Sequence, residues 1–138
     1  MFTTKPTLDA LNAMSEGTIA GHIGIVFTEV GEDYLVAKMP VDSRTMQPMR
    51  LLHGGASVVL AETLGSVASY LCLQDPEKQR AVGLEINANH VRAAHNGDVF
   101  GKVTPIHLGR TTHIWEIRIA TAEGKLVCIS RLTVAILS

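Results

Sequence analysis

Residues 51 to 69 read LLHGGASVVLAETLGSVAS, and their apolar positions fall on every side of a helical wheel instead of along one stripe. A helix of that kind needs cover on more than one face. On both sides of it the pattern changes to strand-like runs. HIGIVFTEV and DYLVAKMP flank Gly31-Glu32, with β-branched and aromatic residues around turn chemistry, and predict a hairpin whose second strand Pro40 closes. Beyond the breaker region QDPEKQR, four more strands are expected: AVGLEINANHVRAA, GDVFGKVTPIHLG, THIWEIRIATA and KLVCISRLTVAIL, with turn-like joints at HNG, LGR and AEG. THIWEIRIA alternates His113, Trp115, Ile117 and Ile119 against Ile114, Glu116, Arg118 and Ala120, the period of a strand with one drier face. Near the start, Thr7 before LDALNAMS predicts a short capped helix, and a second short turn is expected around Ser15 to Ala20. The polar loop VDSRTMQPMRL leads into the long helix, which should run from about Gly54 to Leu73.

With no helix between the late strands, parallel βαβ units are excluded. The pattern predicts an α+β fold, an antiparallel sheet wrapped around one long central helix. A length of 138 residues suits one domain spanning 1–138. Hydrophobic residues make up 46% of the chain but aromatic ones only 4%, so Val, Ile, Leu, Ala and Met must build the core, with Trp115 inside it. Twelve basic and thirteen acidic side chains, without a block of like charge, argue against a nucleic-acid partner. The chain has no stretch of eighteen apolar residues and no leader-like N-terminus, so a soluble, cytoplasmic protein without a membrane partner is expected. Cys72 and Cys128, without a CxxC pair, fit reduced thiols. A mean hydropathy of +0.22 in so small a chain predicts self-association.

Candidate chemistry starts from the carboxylate in the apolar helix. Glu62, Ser66 and Ser69 stand at i, i+4 and i+7 and form one narrow polar stripe. A carboxylate so short of partners in its own segment should be drawn out of water, which favours action as base or nucleophile. Taken alone, Glu62 reads equally well as a solvent-facing residue. The preceding His53-Gly54-Gly55 shifts that balance, because two glycines expose bare amides at the positive end of a helix dipole, where an oxyanion is stabilised. Gln47 adds a side-chain amide from the loop, though without the other parts it reads as a solvated loop residue. Gly54 and Glu62 are eight residues apart. That is about 12 Å of helical rise against a side-chain reach of about 4–5 Å. One helix cannot bring both to one carbonyl. A shared site therefore needs two helices packed antiparallel across a twofold axis, each subunit supplying half.

Six histidines, His22, His53, His90, His95, His107 and His113, show no HExxH or close paired spacing, so no metal and no other cofactor is expected. His90 and His107 read as cleft residues, and His22, His95 and His113 as surface or strand residues. GGASV lacks the closing Gly of a GxSxG elbow, which disfavours serine hydrolase chemistry. Met14, Met46 and Met49 read as packing residues or as the lining of an acyl pocket.

HGG opening a long helix that carries an acidic residue, followed by antiparallel strands, resembles the hotdog-fold acyl-CoA thioesterases of the PaaI and 4-hydroxybenzoyl-CoA thioesterase type, over essentially the whole chain. MPVDSRT, LLHGGASVVLAE, VGLEINANHVR and PIHLGR, in that order, narrow the resemblance. They point to the bacterial branch that holds hydrolases of an aromatic acyl-CoA in menaquinone synthesis and proofreading thioesterases of enterobactin synthesis. The resemblance implies a hotdog fold, an acyl-CoA substrate, and a homodimer with shared active sites that pairs into a homotetramer. It implies Glu62 as nucleophile or general base at the thioester carbonyl, the Gly54 amide polarising that carbonyl, Gln47 and His53 holding the thioester, and Ser66 orienting water or substrate. It further implies CoA and acyl contacts at Gly83, at His90, Val91, Arg92 and Ala93, and at His107, Leu108, Gly109, Arg110, Thr111 and Thr112. Arg92 and Arg110 would face phosphates, whose oxygens a guanidinium fork matches. The chain departs from the pattern where relatives usually read Gln-Pro-Phe-Gly. Here Gln47-Pro48-Met49-Arg50 loses an aromatic face and adds a charge beside the acyl site. Two other functions share part of this pattern. A hotdog hydratase or dehydratase would use the His and the acid to move protons at the α and β carbons. A non-catalytic acyl-CoA sensor would leave Glu62 dispensable and would need a DNA-binding segment, for which no helix-turn-helix is present.

Overall fold

Side-chain caps set the ends of the helices. In the computed structural model, which describes residues 1–138, Thr7 Oγ1 accepts from Ala10 N at 3.1 Å and opens α1 (Leu8–Ala13). Thr18 caps α2 (Ile19–His22) and His53 caps α3 (Gly54–Leu71). The long helix stops at Leu71, short of the expected Leu73, because the N-terminal segment ties off its last carbonyls. Thr3 N donates to Leu71 O at 2.8 Å, and Thr3 Oγ1 donates to Leu73 O at 2.9 Å.

The strands are β1 (Val26–Val30), β2 (Leu35–Pro40), β3 (Arg80–His90), β4 (Asp98–Leu108), β5 (Thr112–Thr121) and β6 (Leu126–Leu137). They form one six-stranded antiparallel sheet in the order β1-β2-β4-β5-β6-β3. LGR and AEG make tight hairpins between β4, β5 and β6. HNG does not, because β3 and β4 are separated by two strands. The expected run through Ala94 leaves the sheet at His90, and residues 91 to 97 cross to β4. Three backbone bonds pin that crossing: Val91 N to Val127 O, Leu52 N to Ala94 O and Val41 N to Gly97 O.

The sheet curves over α3 and packs its inner face on one side of the helix. Leu60, Ala61, Leu64 and Ala68 meet Val103, Trp115, Ile117, Leu132 and Val134, all without solvent exposure. Each such Leu contributes about 1.5–3 kcal/mol by leaving water. Two glycines let the layers approach: a Cβ at Gly65 would stand 2.5 Å from Leu132 Cδ2, and one at Gly101 2.7 Å from Leu64 Cδ1. The opposite side of α3, with Val58, Val59, Glu62, Thr63, Ser66 and Val67, is only half-buried. One chain therefore covers one face of this apolar helix and leaves the second partly open.

The two edges of the sheet differ. Asn12 pairs its side-chain amide with Phe27, accepting from the backbone N at 2.7 Å and donating to the carbonyl at 3.1 Å, and so blunts β1. β3 has a neighbour on one side only and exposes Val82 and Leu84.

Candidate active site

The loop-to-helix junction folds as its sequence demands. His53 is the N-cap of α3, and its Nδ1 accepts from Gly55 N at 2.8 Å. Of the two bare amides expected here, Gly55 is thus taken and the Gly54 N–H alone has no acceptor in the chain. An accepting Nδ1 places the ring hydrogen on Nε2, so exposed His53 presents a donor outward. Gln47 begins a turn in which its Oε1 accepts from Met49 N, leaving its NH2 as the free end. Gln47 and Gly54 line a cavity of about 410 Å³ together with His90, Val91, Arg92 and Ala93. The His90 ring lies against the helix start, where a Cβ at Gly54 would meet its Nε2 at 2.9 Å. Four expected contact residues on the β3 end and its crossing, with Gln47, are therefore gathered around one unpaired amide.

Glu62 and Ser66 line a different cavity of about 410 Å³, whose walls are mostly apolar: Leu11, Met14, Ile19, Phe27, Val59 and Val67, with Thr63 and Thr18. It shares no residue with the cavity at Gly54. Glu62 was expected to be drawn out of water, and in the single chain it is half-buried, because the sheet covers the other side of α3. Its Oε2 reaches the inner side of β3, 2.6 Å from where a Cβ at Gly83 would stand. The segment from α1 to α2 supplies half of this wall, and of its residues only Met14 was expected there, as a possible lining of an acyl pocket. Met14 and Ile19 remain 51% and 62% exposed in the single chain.

The polar stripe does not hold together. Ser69 is fully buried against the sheet, where its Oγ accepts from Trp115 Nε1 at 2.7 Å and lies 3.0 Å from His113 Nδ1. It therefore belongs to the core. His113 is a strand residue, one of the two readings given for it, and it is buried on the same face of β5 as Trp115. Burial, and then the charge of His107, push its pKa below the ordinary imidazole value. Leu108, Gly109 and Arg110 share with His113 a third cavity of about 430 Å³ beside Cys72. His107 packs against Gly109, and Thr111 and Thr112 complete the β4–β5 turn through bonds to Ile136 N and Gly109 N. Met49, read as packing or pocket lining, is neither: it is 76% exposed at the tip of the Gln47 turn.

A single long helix cradled by an antiparallel sheet, with a free amide at its start and a carboxylate eight residues on, is the build of a hotdog thioesterase. The chain belongs to the thioesterase superfamily, whose family model matches residues 49–128, and it is a thioester hydrolase. In particular, it is similar to the 1,4-dihydroxy-2-naphthoyl-CoA hydrolase of Escherichia coli (strain K12), at 59% identity over 133 residues and 96% of each chain. It is also similar to the proofreading thioesterase EntH of Cronobacter sakazakii, at 56% identity over 131 residues, 95% of this chain and 94% of that one. The crystal structure of a mutant thioesterase from Pseudomonas aeruginosa superimposes with a TM-score of 0.96 at 51% identity, covering 99% of this chain and 97% of that one. No helix of the chain is long and apolar enough to cross a membrane.

Proposed function

We propose that the protein hydrolyses an aromatic acyl-CoA, 1,4-dihydroxy-2-naphthoyl-CoA before others, at sites shared between two copies of the chain. The observation that carries this reading is the separation of the polar groups into two cavities with no residue in common. The Gly54 amide and the Gln47 NH2 in one cavity, with the His53 Nε2–H on the N-cap next to it, are donors without an acid. Glu62 and Ser66 are an acid and a hydroxyl without an oxyanion donor. Two chains packed with α3 antiparallel bring one set to the other, which also covers the half-buried face of that helix. The open β3 edge supports the same pairing, since edge strands of two copies extend one sheet across a twofold axis.

In such a site the donors of one subunit polarise the thioester carbonyl as its oxygen gains charge. Glu62 of the other acts at the carbonyl carbon, either as nucleophile or by taking a proton from the attacking water that Ser66 orients. The oxygen joins the acyl carbon, the C–S bond breaks, and the proton passes to the departing thiolate. The apolar cavity beside Glu62 receives the acyl group, and Arg92 and Arg110 lie toward the phosphates. Two buried free thiols suit a reducing cytoplasm.

An aryl-carrier-protein thioester is the second reading, favoured by the likeness to the proofreading thioesterase. Relative kcat/KM over dihydroxynaphthoyl-, benzoyl- and fatty acyl-CoA and an aryl-carrier-protein thioester separates the two. The dihydroxynaphthoyl thioester should lead, and a lead for the carrier-bound substrate would reverse the assignment. Glu62→Gln should lower kcat by about 10²–10⁴-fold while leaving a folded oligomer.

A further inference from the structure

Arg50 is the one non-glycine residue of the chain at positive φ, at +64°. It closes the turn that starts at Gln47: Arg50 N donates to Gln47 O and Gln47 N to Leu51 O, both at 2.9 Å. A left-handed residue in that position usually lacks a Cβ, because the Cβ crowds the neighbouring carbonyl. Backbone strain of this kind persists where something else gains from the residue. No partner inside the chain supplies the gain. The ion pairs of the molecule engage Lys5, Arg44, Lys78 and Arg118, and the exposed Arg50 is in none of them. Its place is informative: expected beside the acyl site, Arg50 does not line the apolar cavity at Glu62 that receives the acyl group. Gln47 and Leu51, on either side of the turn tip, line the cavity at the Gly54 amide, and the same cavity carries Arg92, a second guanidinium without an ion pair.

We propose that Arg50 is a binding residue for the phosphate-bearing end of the substrate, acting as a second cation beside Arg92. This rests on the acyl-CoA reading above and adds to it a residue that sets how strongly the enzyme prefers a thioester carrying the nucleotide. A guanidinium at the mouth of a site attracts phosphate oxygens through paired N–H donors and through charge, and salt weakens the second contribution. Arginine at this turn thus exchanges backbone ease for substrate affinity.

The test compares Arg50→Gly and Arg50→Lys with the wild type on benzoyl-CoA and on the N-acetylcysteamine thioester of benzoate, which has no phosphate. Arg50→Gly should raise KM for benzoyl-CoA several-fold at near-constant kcat, raise it far less for the truncated thioester, and flatten its dependence on salt. Arg50→Lys, which keeps the charge, should recover most of the affinity. Thermal unfolding of Arg50→Gly should move upward, because the glycine relieves the strain, so a loss of affinity cannot be blamed on a weakened fold. An equal change on both thioesters, or none, overturns the proposal. A changed oligomeric mass in Arg50→Gly also overturns it and assigns the residue to a subunit contact. If the wild type hydrolyses neither thioester, the functional reading itself fails and this proposal with it.

Discussion

In the proposed mechanism Glu62 acts on a carbonyl carbon only if its carboxylate is held in place, and Gly83 provides the room. A Cβ there would lie 2.6 Å from Oε2, well inside contact distance, so any side chain at position 83 must push the carboxylate aside. Gly83 is exposed and is not among the glycines at positive φ, so alanine suits its backbone. Gly83→Ala is therefore expected to fold normally and to lose about 10–100-fold in kcat, the usual consequence of a displacement near 1 Å at a reacting group. Steady-state kinetics beside a thermal melt checks this, and a variant with wild-type kcat would mean that Glu62 has space to spare. The two residues are 21 positions apart, 83 minus 62, and no local pattern joins them. Only the packing of α3 under β3 does.

Among the elements, α3 and β5 are joined by a buried polar triad instead of apolar contact alone. Trp115 can only donate, so Ser69 Oγ accepts from it at 2.7 Å and pairs with His113 Nδ1 at 3.0 Å through its own hydrogen or its second lone pair. Ser69→Ala strands a buried indole N–H and should cost about 1–3 kcal/mol. The same triad makes stability depend on pH. Because the folded pKa of His113 lies below its ordinary 6.5, the unfolded chain takes up the proton first. This contribution is complete above about pH 6.5 and is lost as pH falls below it. His113→Gln should flatten the fall of the melting temperature as pH drops below about 6.5, read by calorimetry. A wild-type midpoint that stays constant over that window would contradict a buried neutral imidazole. Sequence alone revealed the elements well, because Thr7, Gly31 and Pro40 mark ends by local chemistry and THIWEIRIA shows its drier face. It did not reveal partners. Strand order depends on which edges meet in space, so HNG looked like a hairpin joint. In fact it ends a crossing that carries Val91, Arg92 and Ala93 into the cavity. Ser69 was misplaced for a related reason: a helical wheel gives an angle but not which neighbour fills it.

For the whole molecule, three features of the single chain carry the proposed pairing. Its apolar helix is covered on one side, its β3 edge has no neighbour, and the donors and the acid of the site stand in separate cavities. The separation of Gly54 from Glu62 followed from residue numbers, since eight residues of helix cannot be spanned by one side chain. The central claim, that Gly54 of one subunit serves Glu62 of the other, is tested most directly by mixing two inactive variants. Glu62→Ala removes the acid. Gly54→Pro removes the amide hydrogen; His53 already has the extended ψ of 129° that must precede a proline, and the new Cβ also pushes aside the His90 ring of the same half-site, which leaves the Glu62 half intact. Co-refolded in equal amounts, half of the dimers are mixed, and each mixed dimer holds one intact site and one doubly defective site. Recovery of about one quarter of wild-type hydrolysis is expected if sites are shared. Hybrids isolated by affinity tags that remain as inactive as either parent would contradict it, placing both groups of each site on one chain.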